Sequence, residues 1–451
     1  MASLFPDPVH QGDTVALLSG LQEAYHCIKN GQYSGCASTV HFPLFQYLSA
    51  GFWRSTGHSP QETLDFLGHL NAISFLGVLA LGFYFFKKRS PILSWFYLLT
   101  ILIGPYLSYT KVTFNEMTAA FVTLCFIFSC LKRFHWAVIA LSFVLAGITK
   151  EIAWPFLIIL GVLSYWPQQK EPLIISLKKG LPGIVAGTLL TVAINAGFNY
   201  FRYASFTNQS LLTPNLQVPD LKQHLSFFLA LLLSPNGGIL FFIPVFFICA
   251  SFLVFQTLRK YQKQQISNAF PLFTLGAVLF VLLAGFSKWY APFGWIAWGP
   301  RLILPWIPAL ALLLFYFYSE EVLKFARICF GRTSAFITFC FFSILFLLPH
   351  IGIFTDFSGI IGRFFTIDQS CPRVAIIQED PGFYYHCMNN YTWPKWGGKF
   401  IFMDATQRAL HKPLLVFLLS VIILAISLRC RRLLTQSLDK QLKELTPDPS
   451  S

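Results

Sequence analysis

The sequence predicts an all-α polytopic membrane protein of about eleven transmembrane helices, GT-C-like in the sense defined below, and three observations carry that prediction. Of 451 residues, 55% are hydrophobic and only 12% charged, too few charges to cover the surface of a soluble domain. The apolar stretches run about 15–21 residues, near the length a helix needs to cross the hydrocarbon core. Basic clusters occur only in alternate gaps: Lys87-Lys88-Arg89, Lys132-Arg133, Lys178-Lys179, Arg259-Lys260, Lys324/Arg327/Arg332 and Arg429/Arg431/Arg432. Cytoplasmic loops retain positive charge, so the alternation sets orientation as well as class. Asp13, Glu116, Lys150 and Arg301 then share the outer side.

Residues 1–67 read as an exterior segment. From Asp13 onward Leu17, Leu18, Leu21, Ala24, Tyr25 and Ile28 recur on one helical face. A second short amphipathic helix follows Pro43, with Leu44, Tyr47, Leu48, Gly51 and Phe52. Both are too short or too polar to span and suit helices lying on the outer surface. Ser59-Pro60-Gln61-Glu62 is a capping box with Pro at the first helical position, and it starts the helix of the first span.

Spans are expected at 68–86, 91–108, 115–131, 134–149, 151–166, 181–201, 239–258, 270–286, 302–318, 333–354 and 413–428. Short turns up to about residue 166 make the early helices antiparallel neighbours. Leu225–Leu233 is too short to cross. Ser234-Pro235-Asn236-Gly237-Gly238 then breaks the helix, either as an interfacial turn or as backbone lining a cavity at membrane depth. Residues 68–354 form a transmembrane module, 355–412 an exterior cap too small for an independent catalytic domain, and 413–451 the last span with a cytoplasmic tail. Residues 1–11 are polar and lack a signal peptide, yet the charge pattern puts them outside. A further first helix preceding this segment is therefore expected.

The net charge of +14 is spread over the cytoplasmic ends of spans, so topology accounts for it and no nucleic-acid partner is expected. No internal repeat is evident, which argues against a transporter of inverted halves. Of ten cysteines, Cys27, Cys36, Cys371 and Cys387 lie outside, as disulfides or as free thiols. Without a CxxC pattern no zinc or redox site is assigned. Asn208-Gln-Ser and Asn390-Tyr-Thr are sequons on the outer side.

Several polar residues stand out against this background. Asp13 reads as an N-cap or as a general base, and the two roles are compatible. Glu116, where an exterior turn meets a span, reads as cavity-facing or as an ion-pair partner of Lys111. Lys150, in the turn Thr149-Lys150-Glu151, suits a phosphate or simple snorkelling. Lys288-Trp289-Tyr290 and Gly294–Arg301 precede a span. An Arg at a span mouth, flanked by Gly and aromatics, suits a lipid-borne phosphate, while Trp295 and Trp298 also fit an interfacial belt.

At these residues the chain resembles the C-type glycosyltransferase (GT-C) superfamily, which includes protein O-mannosyltransferases and lipid A aminoarabinose transferases. Gln-Gly-Asp13 resembles the family's acidic first exterior loop. Asn115-Glu116-Met-Thr-Ala-Ala is similar to its E-P-L-A-A, and Leu233-Ser-Pro-Asn-Gly-Gly-Ile-Leu-Phe-Phe-Ile-Pro244 to S-P-G-R-G-L-L-x-Y-S-P. Gly294–Pro308 is similar to G-G-W-x-x-G-P-R-x-L-x-P-x-L-P. Asn236-Gly237 stands where Gly-Arg is common.

The resemblance implies a membrane enzyme that moves a sugar from a polyprenyl-phosphate donor to a lipid, glycan or protein acceptor, with inversion. Asp13 and Glu116 would be catalytic, Lys150, Arg301 and Lys288 would bind the donor phosphate, and Ser234, Asn236, Gly237, Trp295 and Trp298 would line the cavity. Membrane lipid is a further partner. No residue is assigned to a metal, and a divalent ion stays open as a cofactor. The expected setting is the bacterial inner membrane, active side facing the periplasm or exterior. The rival readings are a lipid transporter or flippase and an inactive partner subunit.

Overall fold

The structure, a computed structural model, describes residues 12–36, 43–110, 112, 114–166, 173–208, 218, 220–262, 269–289, 291–293, 298–356, 360, 389, 392–393 and 400–445, the side chains of 12–16, 173–176, 260–262 and 438–445 excepted. Among these residues the regular structure is helical. Five helices are long and apolar enough to cross a bilayer: Pro60–Lys87, Leu177–Tyr203, Ala269–Ser287, Thr333–Thr355 and Pro413–Ser437. Each of the other six expected spans coincides with a shorter apolar helix. The chain is an all-α polytopic membrane protein.

The two amphipathic helices expected on the exterior form where the periodicity predicts: α1 (Gly12–Lys29) and α2 (Leu44–Ser55). Leu17, Tyr47 and Ala50 bury against Leu67 and Phe198 in a small cluster apart from the main core. Tyr25 and Ile28 remain exposed. Cys27 and Cys36 are joined by a disulfide, and the Cys36 amide donates to the Phe201 carbonyl at 2.8 Å. Cys371 and Cys387 fall outside the described residues, as do Lys111 and Asn390.

The capping box opens α3 (Pro60–Lys87): the Glu62 amide donates to Ser59 Oγ, and the Ser59 amide to Glu62 Oε2 at 2.7 Å. Next come α4 (Pro91–Leu102), a 3₁₀ segment at Pro105–Thr110, α5 (Glu116–Leu131) and α6 (Trp136–Thr149). The expected span 91–108 thus breaks at Gly104-Pro105, because proline cannot continue the helical ladder. A 3₁₀ turn, Glu151–Ala153, leads into α7 (Trp154–Ser164).

The longer helix α8 (Leu173–Tyr203) starts before the expected 181 and carries Pro182 within it. It packs closely on α6 through Gly183-Ile-Val-Ala-Gly187, a small-residue spacing that lets two backbones approach. A Cβ on Gly183 would meet the Trp136 carbonyl at 2.6 Å, and one on Gly187 would meet Phe143 at 2.7 Å.

Helix α9 (Leu221–Leu233) is the non-crossing run, capped by Asp220, whose carboxylate accepts from the Gln223 amide at 2.7 Å. After the Ser234–Gly238 turn the expected span 239–258 divides at Pro244 into a single turn, α10 (Ile239–Phe242), and α11 (Pro244–Gln262). Helix α12 (Ala269–Ser287) follows. The expected span 302–318 is helical only from α13 (Ile307–Phe317). Residues 301–306 form turns instead, since Pro300, Pro305 and Pro308 withhold amide hydrogens.

Three buried tyrosines repair that irregular stretch. Tyr97 donates to the Pro308 carbonyl, Tyr106 to Leu304 at 3.2 Å and Tyr109 to Trp298 at 2.6 Å. The Leu304 carbonyl is the one a residue at 308 would have bonded in a continuous helix, so Tyr106 replaces a donor that Pro308 lacks. Non-helical backbone at membrane depth requires such partners.

Two amphipathic helices lie outside the expected elements: α14 (Ser319–Phe330) and α16 (Ile401–Leu410). The latter packs on α15 (Thr333–Thr355). Finally α17 (Pro413–Leu445) continues beyond the expected 428. It presents Leu414, Phe417, Val421, Ile422 and Leu428 outward, as a lipid-facing helix does.

Candidate functional site

Three helix ends converge on one carboxylate. Glu116 is the first residue of α5, Lys150 follows the last residue of α6, and Arg301 lies in the turns before α13. Lys150 Nζ donates to Glu116 Oε1 at 3.3 Å and Arg301 Nε donates to the same oxygen at 2.8 Å. The Glu116 side chain is fully buried, whereas Lys150 and Arg301 keep 20% and 14% exposure, so the cations form the accessible rim. The other carboxylate oxygen, Oε2, has no hydrogen-bond partner among the described residues. The ends opposite these carry Lys132-Arg133 and Lys324/Arg327, so the cluster lies at the end away from the basic loops.

The protein holds each member by distant contacts. Asn115, at the N-cap position of α5, makes no cap bond of its own. Its amide instead donates to the Thr149 carbonyl at 2.6 Å, which ties the start of α5 to the residue before Lys150. The cap is supplied by Asn71 of α3, whose Oδ1 accepts from the Thr118 amide at 3.1 Å and the Thr118 hydroxyl at 3.0 Å. Asn71 Nδ2 donates to the Val112 carbonyl at 2.8 Å and also to that of Phe114. The Phe114 ring lies under the Arg301 guanidinium, 3.3 Å from carbon to centroid. Such stacking restricts the guanidinium to one plane.

Among the described residues the cluster brings two cations, Lys150 and Arg301, to one oxygen of one carboxylate. Burial lowers the Lys150 ammonium from the ordinary lysine range, the Glu116 carboxylate opposes that fall, and the Arg301 charge adds to it. A partly desolvated cation pair of this kind binds an anion more strongly than either side chain would in water. Among the described residues no three His, Cys, Asp or Glu side chains gather into a metal site.

The neighbouring residue begins a second cluster. Arg202 at the end of α8 is fully buried and donates through Nη2 to Glu151 Oε1 and Asn199 Oδ1, both at 2.5 Å. Asn208 donates to Glu151 Oε2 at 2.8 Å.

The remaining sequence candidates lie elsewhere. Asp13 is the second residue of α1, and its side chain is outside the described residues, as is Trp295. Lys288 is exposed after α12, its carbonyl accepting from the Val218 amide at 2.9 Å. Ser234 and Asn236 are fully buried: the Asn236 amide donates to Ser234 Oγ at 3.0 Å, and Asn236 Oδ1 accepts from the Ile401 amide at 3.1 Å. Gly237 faces Phe293, whose ring a Cβ would meet at 2.4 Å. Trp298 is fully buried beside His350 and Tyr109. Among the charged candidates, direct contacts join Glu116, Lys150 and Arg301.

No family model matches the chain, and no curated protein does. The solved structures similar to it include two crystal structures of ArnT from Cupriavidus metallidurans. The apo form has a TM-score of 0.42 at 15% identity, covering 91% of this chain and 74% of that one. The form bound to undecaprenyl phosphate has a TM-score of 0.43 at 15% identity, covering 91% and 75%. ArnT, a lipid A aminoarabinose transferase, belongs to the superfamily that the sequence motifs resemble.

Sequence reasoning named Asn115 only as part of the motif with Glu116 and did not single out Asn71, Phe114 or Arg202. Asn71 carried a readable signal, a lone carboxamide in an apolar span, which demands internal partners in lipid. Phe114 carried none.

Proposed function

We propose that this protein is a membrane glycosyltransferase that moves a sugar from a polyprenyl-phosphate donor to a lipid, glycan or protein acceptor on the outer face. The observation that carries the reading is the pair of partly accessible cations on one Glu116 oxygen. The C-type motifs at Glu116 and at Gly294–Pro308 support it.

In this reading the acceptor hydroxyl gives its proton to the Asp13 carboxylate, and its oxygen attacks the anomeric carbon from the side opposite the phosphate. The carbon–oxygen bond to phosphate breaks, and polyprenyl phosphate leaves with the electron pair. Lys150 and Arg301 stabilise the charge that grows on the leaving phosphate. Glu116 keeps the two cations together and offers its second oxygen to a hydroxyl of sugar or acceptor. One displacement inverts the anomeric configuration. Lys288 serves as an outlying cation on the donor's approach, and the Ser234–Gly237 turn with Trp295 and Trp298 forms the cavity wall. The setting is a bacterial inner membrane with the site toward the periplasm or exterior.

The test is transfer by purified protein from synthetic polyprenyl-phosphate sugars, read as released polyprenyl phosphate. Wild type gives product of inverted configuration, and Asp13→Asn lowers the rate by about a hundredfold or more. Equal rates for the two remove Asp13 as base. Donor binding without any release of polyprenyl phosphate, across several sugars and acceptors, replaces the enzyme by a carrier or a partner subunit.

A further inference from the structure

Arg301 lies in a stretch that local sequence cannot shape. Pro300 and Pro305 withhold two amide hydrogens, and the backbone–backbone bonds of the turns are short-range, such as Ile303 N–H to the Pro300 carbonyl at 2.9 Å. Gly299 adopts φ of +70°, and a Cβ there would meet Phe242 at 2.6 Å. The placement of Arg301 therefore depends on the anchors at its flanks: Tyr106 on the Leu304 carbonyl three residues later, and what holds Trp298, three residues earlier.

Trp298 is held on three atoms. Tyr109 Oη donates to its carbonyl at 2.6 Å and accepts from its amide at 3.1 Å. The indole Nε1–H donates to His350 Nδ1 at 2.9 Å. Trp298, Tyr109 and His350 are all fully buried, so these groups have no water to fall back on. The bond from tryptophan requires a bare Nδ1 and so puts the ring proton on Nε2. Phe242 packs edge-on to the indole, with ring centroids 4.6 Å apart. Next to Tyr109, Ser108 Oγ donates to the His350 carbonyl at 3.0 Å.

One short length of chain thus reaches Arg301 by several routes. Ser108 and Tyr109 fix His350 and Trp298. A few residues on, Phe114 lies under the Arg301 guanidinium and Glu116 takes its Nε–H. Both Trp298 and the groups that meet the guanidinium thus hang from the same segment.

We infer that Tyr109 and His350 are positioning residues: acting through Trp298, they set the Arg301 guanidinium at the distance from Glu116 and Lys150 at which a lipid-borne phosphate is held by both cations. The inference rests on the phosphate-binding reading of Arg301. It gives Trp298 a part in aiming the cation in addition to walling the cavity.

The experiment uses the full-length protein in detergent, with a polyprenyl-phosphate sugar as donor. Tyr109→Phe keeps the ring and removes both bonds to Trp298. It raises the donor KM about tenfold or more, the range expected for a misplaced binding group, while the acceptor KM stays unchanged. His350→Leu behaves alike, and His350→Asn, whose amide oxygen can stand where Nδ1 stood, recovers most of the loss. In an Arg301→Ala background Tyr109→Phe adds nothing. A multiplicative loss in that background, or a His350→Asn variant no better than His350→Leu, overturns the inference.

Hydrogen exchange separates this outcome from failure of the site reading. Without any ligand, the Trp298 amide exchanges faster in Tyr109→Phe than in wild type. An unchanged rate overturns the positioning role by itself. Wild type that neither transfers sugar nor binds polyprenyl phosphate defeats the phosphate reading, and with it the purpose assigned to the network.

Discussion

Lys150 and Glu151 are neighbours in sequence and belong to charge clusters of opposite character. Glu151 belongs to a closed one. Its two oxygens are taken by Arg202 and Asn208, and the buried Arg202 guanidinium lies 4.1 Å from the Phe198 ring centre. One cation meets one carboxylate, and both carboxylate oxygens are engaged. Lys150 belongs to an open one. Two cations share a single carboxylate oxygen, both keep some exposure, and the second oxygen has no partner among the described residues. The difference separates two uses of the same chemistry. A satisfied pair fixes the ends of helices. Two partly accessible cations on one oxygen retain attraction for a further anion.

Four substitutions sharpen or break that contrast. Arg202→Met leaves the half-buried Glu151 without its cation and should cost up to about 3 kcal/mol, below the range for a fully buried pair. Thermal unfolding in detergent reads this, and the donor KM of the surviving folded fraction should not change. Arg301→Ala should show the reverse, a donor KM raised by about ten- to a hundredfold with only a small drop in melting temperature. Comparable stability losses for the two would erase the distinction between the clusters.

Asn71→Ala strips partners from two carbonyls and one amide at the start of α5, and should cost about 2–3 kcal/mol. Because Phe114 and Glu116 move with that segment, donor affinity should fall as well, which parallel unfolding and kinetic measurements on one preparation would reveal. Ser59→Ala removes a cap remote from both clusters. About 1 kcal/mol of stability should go, with kinetics untouched, so any kinetic effect there would show that stability loss alone mimics a site defect.

The spans were legible because hydrophobic length is a local property. The eleven stretches reappear as helices, and their sidedness grouped Glu116, Lys150 and Arg301 before any contact was known. Charges at the mouths of apolar runs are scarce, so these three were conspicuous. What was not legible has a common cause. Asn71 bonds carbonyls 41 and 43 residues away, Tyr109 reaches across 189 residues and Ser108 across 242. A side chain that satisfies a distant carbonyl follows no spacing rule. The amphipathic α14 and α16 were passed over because they are too short and polar to register as spans. The turns before α13 could have been read from Pro300, Pro305 and Pro308, and the continuous span expected there weighed hydropathy above backbone chemistry.

The Cys27–Cys36 bridge has a practical bearing on purification. Among the described residues the free thiols, Cys125, Cys130, Cys249, Cys329, Cys340 and Cys430, are buried or half-buried and gain little from added reductant. The bridge closes the loop behind α1, the helix that carries Asp13, and the Cys36 amide moors that loop to the end of α8. Among the described cysteines, dithiothreitol in a preparation buffer would therefore act mainly on this ring, unmooring α1 while leaving the bundle intact. A preparation made that way would look monodisperse and well folded, and its silence in an assay would describe the buffer.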